Sequence, residues 1–196
     1  MKRNINFLYE IGTLKRVERA WQQVITSKVS NVAEHIFRVV MIAWIIAKEE
    51  KADVDKVLKI ALIHDMAESR TGDIAFMHRD YVKRDEDLAE EHIFKDTSLQ
   101  KDAKELLLEY SKRETLEAKI VKDADNIDVD LELKELAQVK DTTAIRMAKE
   151  HRPVVRSKKL YTKTAKKMWD EIQKIDPNDW HQVLTNKWIF GEKGGK

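Results

Sequence analysis

The sequence predicts an all-α fold, on three observations. Apolar residues recur at three- and four-residue spacing over long stretches. Capping residues stand just ahead of several of those stretches. Gly occurs 5 times and Pro 2 times in 196 residues, which leaves too little turn chemistry for a sandwich or barrel.

The elements follow in order. Asn31-Val32-Ala33-Glu34 puts an N-cap residue three positions before an acid, a capping-box start for a helix to about Glu50. Its centre, Val39 to Ala47, is apolar all round and reads as a central, buried helix. Asp53 or Asp55 can cap a second helix through Val57, Leu58, Ile60, Ala61, Leu62 and Ile63. Thr71-Gly72-Asp73 is a turn signal that stops it near Ser69. A charged helix is expected over Tyr81 to Lys95. Thr97 or Ser98 can cap a fourth through Leu106, Leu107 and Leu108.

Glu114 to about Val139 reads as one long helix carrying Leu116, Ile120, Val121, Ala124, Ile127, Leu131 and Leu136. Further helices are expected over 142–150 and 158–175, and a last one over Asp179 to Ile189. Gly191 to Lys196 should fray. Arg152-Pro153 is the one weak boundary. It divides a domain over 1–150 from a C-terminal helical appendage over 151–196, whose Trp169, Trp180 and Trp188 suggest packing on the core or on a partner subunit.

Composition excludes several classes. Lys plus Arg is 37 and Asp plus Glu 35, a net charge of +2, too balanced for a protein held to nucleic acid by charge alone. The basic residues from Arg156 to Lys167 read as the wet face of a helix. No Cys is present, which removes disulfides, thiolate zinc sites and a Cys nucleophile, and fits a reducing compartment. The longest wholly apolar run, Val39 to Ala47, is far short of the roughly 18 residues of a membrane span. No apolar run of signal-peptide length follows Met1-Lys2-Arg3-Asn4. A soluble cytoplasmic protein is expected.

Polar residues inside apolar patterns carry the chemistry. Ile60-Ala61-Leu62-Ile63 runs straight into His64-Asp65. A His and an Asp closing an apolar run need partners, because unpaired burial costs several kcal/mol. A metal ion would satisfy both; so would a hydrogen-bonded core pair. Glu68 lies one turn beyond His64. His35, in the first turn of its helix, reads either as a third ligand or as a core or cap residue. The long helix has four Asp between 123 and 130. Asp125 shares a face with Val121, Asp128 flanks the same side, and Asp123 and Asp130 look solvent-facing. Spacing alone barely separates Asp125 from Asp128.

Together His35, His64-Asp65 and Asp125 resemble the H…HD…D pattern of the HD-domain metal-dependent phosphohydrolases. Asn31-Val32-Ala33-Glu34-His35, His64-Asp65-Met66-Ala67-Glu68, Thr71-Gly72-Asp73-Ile74, and Lys119-Ile120-Val121-Lys122-Asp123-Ala124-Asp125 are similar to the segments of the 5′-deoxynucleotidase subgroup. Leu14-Lys15-Arg16-Val17 and Trp21 sit where that subgroup has a similar lead-in. The similarity spans roughly residues 5 to 140.

The resemblance implies a helical bundle around a single divalent metal held by His35, His64, Asp65 and Asp125. Mn, Co, Fe, Ni, Zn and Mg are all open. It implies that Glu68 and Asp73 act as acid–base and positioning residues, with Arg19 and Trp21 at the substrate. It implies release of phosphate from a (deoxy)nucleoside 5′-monophosphate by metal-activated water, and a homodimer. The alternatives are another phosphoester, such as a nucleoside triphosphate or cyclic dinucleotide, or a non-catalytic metal- or nucleotide-binding module. Where the subgroup has Arg directly before the Trp, this chain has Ala20, with Arg19 one position earlier. That shift bears on selection of the 2′-deoxy sugar. His78 and His92 lack matching words and read as solvated residues.

Overall fold

A computed structural model describes residues 1–190. Eleven α-helices are found among them, with no strand beyond one bridge between Glu18 and Asn31. In chain order they are α1 Lys2–Ile11, α2 Val32–Glu50, α3 Val54–Ile63, α4 Glu68–Thr71, α5 Glu86–Phe94, α6 Gln100–Lys112, α7 Leu116–Gln138, α8 Thr142–Glu150, α9 Arg152–Lys158, α10 Lys163–Lys174 and α11 Asp179–Phe190. Short 3-10 turns at Gly12–Arg16, Ala20–Gln23 and Phe76–His78 join them. The all-α expectation holds. None of these helices is long and apolar enough to cross a membrane.

Local chemistry sets the helix starts. Asn31 accepts from the Glu34 amide while Glu34 returns a bond to the Asn31 amide, the reciprocal capping box the sequence suggests. Asp53, Asp85, Thr115, Asp141 and Thr162 cap α3, α5, α7, α8 and α10 through their side chains.

α2, α3 and α7 form the centre, with α2 and α7 in the most extensive contact and α6 and α10 closing over them. Val39, Ile46, Val57, Ile60, Ile120 and Ile127 are fully buried there. Each such side chain contributes about 1.5–3 kcal/mol relative to exposure. A second cluster joins Phe7, Leu14, Ile36, Ile93 and Phe94. A third joins Ile25, Val29, Val129, Leu133 and Ala144.

The structure corrects several expectations. α2 is not covered all round: Phe37, Met41, Trp44 and Ile45 are between 43% and 72% exposed on its outer side. Apolar character on every face does not distinguish a helix wrapped by its own chain from one with an open side. The second helix ends at Ile63, not Ser69, and tightens into i→i−3 turns at Met66, Glu68 and Ser69. The charged helix begins at Glu86 instead of Tyr81, because Asp85 supplies its cap. Neither Thr97 nor Ser98 caps α6; Thr97 donates back to the Phe94 carbonyl instead.

The helix expected over 158–175 begins at Lys163 instead: α9 ends at Lys158, and residues 159–162 separate it from α10. Asp123 of α7 accepts from the Tyr161 and Thr162 amides and the Thr162 hydroxyl at 2.7–2.8 Å, fixing the break. Asp123 and Asp130 are therefore buried, not solvent-facing: Asp130 takes a two-pronged bond from Arg152. α1 was not expected at all. Leu160 and Ala165 lie in the central cluster, whereas Trp180 and Trp188 are exposed. The expected fraying of 191–196 lies outside the described residues.

Candidate metal centre and its cavity

Two imidazoles converge at the middle of the bundle. His35 comes from the first turn of α2, and His64 from the turn where α3 ends. His35 Nδ1 lies 2.6 Å from Asp128 Oδ2, and His64 Nδ1 lies 2.8 Å from the Ala61 carbonyl. Each anchor is an acceptor, so each assigns the ring proton to Nδ1 and leaves Nε2 with a free lone pair. Among the described residues, both Nε2 atoms are buried without a hydrogen-bond partner.

Carboxylates face those nitrogens. Asp65 Oδ2 is 3.4 Å from His35 Nε2 and 3.3 Å from His64 Nε2. Asp125 Oδ1 is 3.4 Å from His35 Nε2. One ligand atom from each of His35, His64 and Asp125 lies within 4.8 Å of the others. These gaps are long for hydrogen bonds but suit atoms grouped around a shared cation. Lys122 Nζ binds the second oxygen of Asp125 at 2.6 Å, leaving Oδ1 to the centre.

The electrostatics agree. Burial pushes Asp65 and Asp125 up, but His64 and His35 outweigh it at Asp65, and Lys122 and His35 outweigh it at Asp125. Both stay charged, below the usual carboxylate range. Burial pushes His35 down, yet Asp125, Asp128 and Asp65 raise it well above its ordinary value. Acids that favour a proton on a buried imidazole equally favour a divalent cation in its place. The orphaned nitrogens, paired with two charged carboxylates, fit a metal, and His₂Asp₂ suits a first-row ion.

A cavity of about 250 Å³ opens onto this centre, lined among others by Arg19, His64, Asp65, Glu68, Asp73 and Asp125. Glu68 begins α4, its Oε2 buried without a partner. Burial first, then Asp65 and Asp73, push its carboxyl up to about 9. Asp73 Oδ2 forms an ion pair with Arg19 Nε at 2.9 Å and accepts from the Ala20 amide at 3.0 Å. Arg19 is buried and lies 5.2 Å over the Trp21 ring. Trp21 itself does not line the cavity: it packs on the third cluster and donates to Glu132 at 3.2 Å. His92 is exposed and His78 half-buried, both away from the cavity lining.

Asp128 and Arg38 are the residues the sequence reading did not place. Asp128 sits behind His35, and Arg38 holds Asp128 and grips Glu135 through Nη1 at 2.7 and 2.8 Å. The signal was the spacing itself: 125 and 128 are neighbours on one helical face, one forward to the centre and one behind the imidazole. A larger groove of about 900 Å³, lined by Phe37, Arg38, Met41 and Glu135 among others, runs outside α2 and α7 and holds none of the converging ligand atoms.

Known proteins share this arrangement of chain. A family model described as HD domain matches residues 11–175. The chain is 36% identical over 139 residues to the 5′-deoxynucleotidase HDDC2 of Bos taurus, covering 67% of this chain and 66% of that one. It is 33% identical over 138 residues to the 5′-deoxynucleotidase HDDC2 of Homo sapiens, covering 67% of each. The matched stretch is thus about two thirds of either relative. Among solved structures, a conserved hypothetical protein from Pyrococcus furiosus superimposes with a TM-score of 0.72 at 27% identity, covering 87% of this chain and 99% of that one.

Proposed function

The chain belongs to the HD-domain family, and from that premise we propose that it is a metal-dependent phosphohydrolase releasing phosphate from (deoxy)nucleoside 5′-monophosphates. The observation that carries this reading is the convergence of two orphaned, buried imidazole nitrogens with the Asp65 and Asp125 carboxylates. The names of the relatives at 33–36% identity supply the substrate class.

His35, His64, Asp65 and Asp125 would hold the ion. A divalent cation bound there lowers the pKa of a water and polarises a phosphoryl oxygen. The side chains supply the rest. Glu68, whose carboxyl burial pushes up to about 9, stands at the cavity wall where it can give a proton to the leaving 5′-oxygen. Asp73 is the second carboxylate of the reaction; it also fixes Arg19, which turns a guanidinium to the sugar or phosphate. Trp21 supports Arg19 from behind, and this is the support for placing it at the substrate. Arg19 in place of an Arg at position 20 sets how strictly the 2′-hydroxyl is refused.

Residues 1–150 are read as the phosphohydrolase domain and 151–196 as the appendage, supported by the packing of Leu160 and Ala165 on the core. A homodimer is supported by the open apolar side of α2. The absence of Cys supports the cytoplasm, and the balanced charge supports the lack of stable nucleic-acid binding.

The test is phosphate release from paired deoxy and ribo monophosphates with Mn, Co, Fe, Ni, Zn and Mg in parallel. Release of nucleoside plus phosphate is expected. No release from any pair with any metal overturns the reading; triphosphate release from nucleoside triphosphates would move it to another phosphoester. Glu68→Gln should lower kcat by about 10²–10⁴-fold with bound metal per chain unchanged.

A further inference from the structure

Five basic side chains line the cavity, and three of them stand in ion pairs. Arg19 pairs with Asp73, Lys122 with Asp125, and Arg84 with Glu68, Glu86 and the Gly72 carbonyl. Arg79 lies exposed over the Phe76 ring. Arg113 is different. It closes α6, its guanidinium carbon sits 3.2 Å above the centre of the Tyr110 ring, and its buried Nη1 has no hydrogen-bond partner among the described residues. Among the described residues it forms no ion pair.

Tyr110 makes this a rigid platform. It is buried in the central cluster and meets the His64 ring edge-on, with centroids 5.7 Å apart. His64, Tyr110 and Arg113 therefore form a ladder from the metal centre to the cavity wall. A guanidinium held over an aromatic face leaves N–H donors for other partners, and a phosphate can take two of them in a two-pronged bond. A partly desolvated cation without a carboxylate is costly unless an anionic ligand completes it.

Resting on the phosphohydrolase reading above, we propose that Arg113 is the phosphate-recognising residue of this cavity, binding non-bridging oxygens of the substrate's phosphomonoester. Its chemistry selects a terminal, dianionic phosphate over an uncharged or diester group. Arg113 contributes to ground-state binding rather than to proton transfer.

The experiment compares wild type, Arg113→Met and Arg113→Lys, each loaded with metal. Binding of inorganic phosphate and of a nucleoside without phosphate is measured by calorimetry, beside KM and kcat for the matching monophosphate. Met keeps the packing on Tyr110 and removes the charge. Arg113→Met is expected to weaken phosphate by about 10–100-fold, the worth of a charge-assisted two-pronged bond. KM should rise by a similar factor, kcat should move less, and nucleoside affinity should not change. Arg113→Lys should recover part of the loss.

Unchanged phosphate affinity in Arg113→Met overturns the proposal, as does an equal loss of nucleoside affinity or a wild type that binds no phosphate. If Arg113→Met fails to fold, Arg113→Lys decides: phosphate binding as tight as wild type overturns it. A wild type that binds phosphate through Arg113 yet hydrolyses no nucleotide keeps this inference and removes the enzymatic reading. Hydrolysis with equal KM in all three does the reverse.

Discussion

The two imidazoles of the centre are anchored differently, and the difference has consequences. His64 leans on a backbone carbonyl that no substitution removes. His35 leans on Asp128, a charged carboxylate which Arg38 holds in turn. Burial pushes Asp128 up, but His35 and Arg38 outweigh it and keep it ionised. Asp128→Asn keeps the shape but offers His35 a weaker acceptor, or an amide that selects the wrong tautomer. Metal affinity, titrated against a competing chelator, should fall about 10–100-fold, the usual cost of losing such a supporting carboxylate. Glu90, on the cavity rim, makes a second residue-level prediction. Burial, with Asp87 and Glu86 beside it, pushes its carboxyl up to about 7. The folded state thus binds this proton more tightly than the unfolded chain, and stability is lost as pH rises through about 7. Glu90→Gln should therefore raise Tm at pH 8 and leave it unchanged at pH 4. Because the group is partly open to solvent, the gain should stay under about 1 kcal/mol, or about 2–4 °C for a chain of this size. An equal gain at both pH values would mean that charge is not the cause.

At the scale of elements, Asp123 ties the end of the fold to its middle. Its two oxygens receive three donors from the 161–162 turn, two of them backbone amides. Asp123→Ala strands those donors, each costing about 1–3 kcal/mol when buried. A loss of about 3 kcal/mol is expected, which lowers Tm by about 6–12 °C. Asp123→Asn retains one acceptor and should lose less. A melt of Asp123→Ala matching wild type would show that Thr162 alone holds the turn. The same residue marks where reading the sequence stops. Helix starts were legible at Asn31 and Asp53 because a cap bonds to its own next turn. His35, His64 and Asp65 stood out because each broke an apolar pattern. Asp123 and Asp130 did not: their partners lie 22 to 39 residues away, and four acids between 123 and 130 look like a wet face. Local spacing barely separated Asp125 from Asp128; the resemblance of the Lys119 to Asp125 segment chose Asp125, and the position of His35 on α2 gives the physical reason, since Asp128 lies behind that imidazole. The exposed side of α2 was hidden for the same reason, since covering a face is a property of other elements.

For the whole molecule, the candidate ligands come from three places far apart in the chain. His35 stands on α2, His64 and Asp65 follow α3, and Asp125 stands on α7. These are the helices that build the central core. An ion held by all of them exists only in the folded chain, so its binding free energy adds to folding. At a hundredfold excess over its dissociation constant it contributes about 2.7 kcal/mol, or about 5–11 °C in Tm. Chelation should lower Tm by that amount, and added Mn or Zn should restore it. Asp125→Asn separates this from a general salt effect. It removes one charge from the ligand set and releases Lys122, so its Tm should fall and then respond little to chelator or metal. A wild type whose Tm ignores chelator, while still containing no metal by elemental analysis, would mean that the four side chains pair among themselves. The 3.3–3.4 Å gaps at the orphaned nitrogens argue against that outcome, because a self-satisfied cluster would close them to hydrogen-bond length.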